Sequence, residues 1–191
     1  ELHNNHHTYP NSAKLSVKPW EFDMGWAWIQ LFSFCGLAKV QRVAPIAHRV
    51  AGKGNLDMDT AMAILNNRFQ IMAQYRTLVI APLVKQELGK ADASVRHHFR
   101  RAKALLSRET SLLDESHQAR IQRLLEESQA LKVIYEKRIA LQQIWVKTSS
   151  NGHEMLDAIK QWVSDAEASG IQSLREFAEQ LKTYSLRPAN A

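Results

Sequence analysis

From Asp57 almost to the C-terminus, the apolar residues of this 191-residue chain recur at helical spacing. Met58, Met62, Leu65, Phe69, Met72 and Leu78 fall at steps of three, four and six, the period of one helix face. Asp57 or Asp59 is placed to cap the start. Pro82 is expected to kink or break this helix and Gly89 to close it. A shorter basic helix is expected over 93–106 and the longest element over 114–147. The apolar positions of the latter, among them Ile121, Leu124, Leu131, Ile134, Leu141 and Trp145, make a drifting stripe rather than a strict heptad. Arg138 and Gln142 interrupt a heptad seam, which favours a helical hairpin or bundle over a two-stranded coiled coil. Asn151 and Gly152 stop the element, and two short helices, 154–168 and 171–184, join at Gly170. No strand-like alternation is visible. The expected fold is all-α: an interfacial amphipathic helix followed by a helical bundle or hairpin.

The first third has a different composition. Residues 24–38 are uncharged and rich in aromatics, with Trp26, Trp28, Phe32 and Phe34. This run is shorter than the roughly 20 residues needed to cross a bilayer. Tryptophan favours the membrane–water boundary, so a helix lying in the interface fits both length and composition; a buried helix of an ordinary core fits them about equally. Lys39, Arg42, Arg49 and Lys53 follow with no acid between Met24 and Leu56, which tilts the balance towards the cytoplasmic face of an inner membrane. Gly52, Gly54 and Asn55 mark a flexible break. Three units are expected: residues 1–45, a linker over 46–57, and a helical extension over 58–191. The chain opens without Met, as a piece of a longer protein would. The single cysteine, Cys35, excludes an internal disulfide, and the net charge of +6 favours anionic partners.

The strongest chemical candidate is at the N-terminus, where His3, His6 and His7 sit at i, i+3 and i+4. On a helix they share one face, so three imidazoles can meet at one metal ion. A zinc hydrolase of HExxH type needs glutamate where Asn4 stands, so that chemistry is not supported. Histidines with little carboxylate suit iron, which can activate dioxygen.

With its flanks, HNNHHTYP resembles the third histidine box of the membrane-bound fatty acid desaturases. The likeness continues from Lys18 to Val40, through the aromatic segment ending in Gly36, Leu37 and Ala38, and looks nearest to bacterial Δ9 desaturases. It covers about the first 45 residues, and the helical extension also looks like the tail of that group. The resemblance implies a non-haem diiron oxidoreductase that inserts a cis double bond into a saturated acyl chain, using dioxygen and two electrons. It implies His3, His6 and His7 as iron ligands. The partners it implies are an acyl chain on coenzyme A or phospholipid, an electron-transfer protein and a membrane surface. The family's two earlier boxes are missing. His48, His117 and His153 stand alone, and His97 and His98 are adjacent and expected to point apart. This chain by itself is therefore expected to be inactive.

A competing reading is a soluble helical interaction or DNA-binding module with incidental histidines. Trp162, Ala166, Glu167, Ala168, Ser169, Gly170 and Ile171 are loosely similar to a transposase C-terminal segment. Arg96, Arg100, Arg101, Lys103 and Arg108 form a basic run without an acid. A solvated face is its first explanation, anionic lipid the second and DNA the third, so nucleic acid is not the expected partner.

Overall fold

A computed structural model describes residues 12–16, 22–41, 43, 46–92, 96–108, 113–147 and 152–187. The expected all-α class holds. Helices α1 (Met24–Phe34), α2 (Met58–Asn66), α3 (Arg68–Tyr75), α4 (Ala81–Lys90), α5 (Arg96–Phe99), α6 (Ala102–Ser107), α7 (Glu115–Glu127), α8 (Gln129–Lys147), α9 (Gly152–Ala168) and α10 (Gln172–Lys182) make up most of it. Two four-residue strands, β1 (Ile46–Arg49) and β2 (Tyr184–Arg187), pair antiparallel with Ile46 opposite Arg187 and Arg49 opposite Tyr184.

Side-chain caps set several helix starts. Asp57 Oδ1 accepts from the Thr60 amide at 2.7 Å and the Thr60 hydroxyl at 2.8 Å, and Asp114 Oδ1 accepts from the His117 amide at 2.8 Å. Both satisfy an amide that the first turn leaves without a helical acceptor. Pro82 does not end its helix. The chain widens into a π-helical turn (Arg76–Ile80), and the Ala81 amide bonds back to the Arg76 carbonyl. That turn carries α3 into α4 around a residue with no amide proton and a bulky ring.

The single helix expected over 114–147 is two helices. Ser128 adopts an extended conformation (φ −144°, ψ 111°), and its hydroxyl accepts from the Leu131 amide at 3.3 Å while donating to Glu87 Oε2 at 2.7 Å. It thereby caps α8 and ties the break to α4. Gly170 takes φ +73° between α9 and α10, a backbone conformation that a Cβ would strain.

The core is centred on Tyr75. Its ring meets Phe177 of α10 edge-on at 5.1 Å and Trp162 of α9 at 6.5 Å. The polar atoms of this cluster are anchored on α8: Tyr75 Oη donates to the Ile134 carbonyl at 2.7 Å and Trp162 Nε1 to the Lys137 carbonyl at 2.8 Å. Burial pushes the Tyr75 phenol well above its usual range, because the phenolate would lose its hydration.

β1 lies within the stretch expected as a linker and reaches the far end of the chain. Lys53 Nζ holds Asp57 and Asp59 at 3.1 Å each and the Tyr184 carbonyl at 3.3 Å, and Asp59 also accepts from the Ser185 hydroxyl and from the Leu186 amide at 3.2 Å. These contacts fasten the strand pair onto the start of α2. By contrast α1 buries none of its residues, and Trp28, Phe32 and Phe34 are exposed.

Candidate functional site

Helices α5, α6 and α7 pack through apolar undersides. Phe99, Ala102, Leu105, Leu106, Ile121 and Leu124 are all buried, which turns the polar residues between them outward. His97, His98, Arg101, Arg120 and Arg123 then surround one open concavity of about 360 Å³, floored by Leu105 and Leu124. Arg120 and Arg123 are three apart on α7 and share a face.

Two clasps hold this surface. His98 Nδ1 donates to Glu127 Oε1 at 2.7 Å, tying α5 to the end of α7. At the other end of α7, Arg108 Nη1 donates to His117 Nε2 at 2.7 Å, and His117 Nδ1 lies 2.6 Å from Asp114 Oδ1. A guanidinium has no acceptor, so Nε2 must carry the lone pair and Nδ1 the proton that Asp114 receives. The Asp114 carboxyl is held well below its ordinary range, first by the His117 amide and then by the Ser116 hydroxyl and the His117 ring. These clasps engage the carboxylates of Glu127 and Asp114. Arg101, Arg120 and Arg123 have no ion-pair partner among the described residues. An open concavity with three such guanidiniums suits an anion that brings several oxygens.

Several sequence expectations change here. His97 and His98 do not point apart: their ring centroids are 3.9 Å from each other, and both line the concavity. His117 does not stand alone. Of the basic run, Arg101 lines the concavity, and Arg108 supports it through His117. Arg120 and Arg123 were missed, although their i, i+3 spacing on an expected helix was visible. His3, His6 and His7 lie outside the described residues. Among the described residues, no group of three or more His, Cys, Asp or Glu side chains could hold a metal ion.

Comparison with known proteins decides the family. The ISL3-type DDE family model, described as Transposase, matches residues 58–190. The chain belongs to this transposase family. A transposase for insertion sequence element IS1001 from Bordetella parapertussis is 28% identical over 123 residues, covering 63% of this chain and 30% of that protein. Two desaturases match over short stretches. The sn-2 palmitoyl-lipid 9-desaturase of Nostoc sp. (strain 36) is 57% identical over 37 residues, 19% of this chain and 13% of that protein. The sn-1 stearoyl-lipid 9-desaturase of Synechocystis sp. (strain ATCC 27184 / PCC 6803 / Kazusa) is 44% identical over 43 residues, 22% of this chain and 14% of that protein. The chain thus spans under a third of the transposase relative and about a seventh of each desaturase. No solved structure matches.

The desaturase reading is corrected accordingly. Its likeness is local, whereas the transposase family accounts for most of the chain, including the extension taken for a desaturase tail. With it go the oxidoreductase activity and the acyl, dioxygen and electron-transfer partners. The inner-membrane placement and the membrane-surface partner, drawn from the aromatic run and the basic residues after it as well as from that likeness, are overturned with it by the family match; no helix among the described residues is long and apolar enough to cross a membrane. The expectation that nucleic acid is not the partner is overturned too.

Proposed function

We propose that this chain is a helical, DNA-contacting part of a transposase, and that the α5–α7 concavity grips the phosphate backbone. The observation that carries this reading is the convergence of Arg101, Arg120 and Arg123 with His97 and His98 on one open surface. Phosphate contacts of this kind position a duplex without reading its sequence. The arginine fork suits phosphate oxygens better than a lysine point charge does. The relative's printed role, transposase for an insertion sequence element, supports DNA as the anion. No catalytic step is assigned to these helices. Their part is to hold the strand while chemistry is done elsewhere in the full-length enzyme.

The test is duplex binding by fluorescence anisotropy across a series of salt concentrations. Affinity should fall linearly on a log–log plot, and each of Arg101→Ala, Arg120→Ala and Arg123→Ala should make the slope shallower by about 0.9. Binding that ignores both salt and these substitutions would refute the assignment.

A further inference from the structure

A second concavity, of about 340 Å³, lies where α3, α6 and α8 meet, lined by Arg68, Phe69, Arg138, Gln142, Trp145 and Val146 among others. Its composition differs from that of the first. The Arg68 guanidinium covers the Phe69 ring at 4.7 Å from the centroid; Phe69 and Val146 are exposed, and Trp145 is half-buried. None of the described lining residues is acidic. The Arg68–Phe69 stack thus stands beside the half-buried Trp145 ring and the Gln142 amide, while Arg138 lies beneath with its guanidinium on the Ser107 and Arg108 carbonyls.

We infer that this groove receives one unpaired nucleobase of a DNA strand held by the α5–α7 surface. The inference rests on the DNA reading proposed above and goes beyond it by assigning a second site and a ligand class. Trp145 supplies a face on which any base stacks, and the planar Arg68 guanidinium laid over Phe69 offers a second stacking surface. The Arg68 charge complements the adjoining phosphate, and Gln142 offers a donor and an acceptor to the base edge. A pocket of this size is at the lower end of those that hold small molecules. It therefore suits a nucleotide and excludes a duplex.

The position of the groove supports the assignment. Leu105 of α6 floors the arginine concavity and Ser107 of α6 lines the groove. Two residues apart on a helix is about 200° of rotation, so the two sites lie on opposite sides of one short helix. A strand crossing α6 passes from the phosphate surface to the aromatic groove.

The experiment uses the full chain and two probes: a blunt duplex, and the same duplex with one unpaired 2-aminopurine. The fluorescence of the unpaired base should fall on binding, through stacking. Phe69→Ala and Trp145→Ala should weaken binding of the unpaired probe by about five-fold or more and leave blunt-duplex affinity unchanged. Trp145→Phe keeps a stacking face, so it should restore most of the loss and controls for folding. If the blunt duplex binds with the expected salt dependence but the 2-aminopurine signal does not change, the groove assignment falls and the phosphate reading stands. If neither probe binds, both fall. If the Phe69 and Trp145 variants alter only the oligomeric state, the groove is filled by protein and the assignment is wrong.

Discussion

Arg138 Nη2 donates to the backbone carbonyls of Arg108 at 2.9 Å and Ser107 at 3.2 Å. The residue is only 3% exposed, yet it joins the middle of α8 to the C-terminal end of α6. The last carbonyls of a helix lack helical donors and carry partial negative charge, so a buried guanidinium fits there. This arrangement explains why a charge interrupts the apolar stripe of α8: the position is a polar strut between helices.

The first prediction concerns that strut. Arg138→Leu should destabilise the chain by about 1.5–3 kcal/mol, because two part-buried carbonyls lose a charged donor. Urea denaturation checks this through a lowered midpoint at similar slope. A change within a few tenths of a kcal/mol would mean that water replaces the guanidinium freely.

Ser128 offers a second test. Its hydroxyl both caps α8 and donates to Glu87. Burial would raise the Glu87 pKa, but the bonds from Ser128 and Lys90 hold the carboxyl below its ordinary value. Ser128→Ala should cost about 1–2 kcal/mol. Ser128→Asp keeps a capping oxygen but sets a second carboxylate beside Glu87, so it should be less stable at neutral pH than the alanine variant. An aspartate variant more stable than wild type would mean that capping dominates and the Glu87 contact is incidental.

Ser128 also marks the limit of what the sequence made legible. Asp57, Asp114 and Gly170 sit at the ends of apolar periods, where cap chemistry and period agree. Ser128 lies inside a long period, so its local preference for a cap was hidden by the stripe around it. The β1–β2 pair was hidden for another reason: each strand is four residues long, and the partners are separated by nearly the whole helical body. Its stability comes from contacts such as Lys53 with the Tyr184 carbonyl, which no local window contains. The phosphate surface was half visible. Arg101 stood out in a basic run, whereas Arg120 and Arg123 join it only once α7 folds against α6. The family was misread through unequal signal density. Three histidines make a sharp local pattern, while a helical scaffold distributes its identity over degenerate apolar positions from 58 to 190.

A third prediction follows from Asp57. The Thr60 amide, opposed by burial and aided by the Thr60 hydroxyl and Lys53, lowers its pKa to about 2 from an ordinary 3.8. A depressed folded-state pKa gives stability that is fully present above the ordinary value and is lost as pH falls towards about 2. Asp57→Asn keeps the capping oxygen but cannot titrate. Between about pH 5 and pH 2.5 the wild type should lose more of its urea midpoint than the asparagine variant. Parallel losses would show that Asp57 does not contribute to the acid sensitivity.

The last prediction separates a site from a general field. Lys103 is exposed on α6 beside the arginine concavity but does not line it, whereas Arg120 and Arg123 do. Removing any one of these charges lowers the net charge by the same amount, so a purely global attraction for DNA would weaken equally in all three cases. A built phosphate site predicts otherwise. Arg120→Ala and Arg123→Ala should each reduce duplex affinity several-fold at moderate salt and remove about one phosphate contact from the salt slope. Lys103→Ala should change both quantities by less than half as much. Because all three side chains are exposed, none of the substitutions should shift thermal stability appreciably, so the comparison reads binding alone. Equal weakening by the lysine and arginine variants would replace the concavity with a diffuse positive surface.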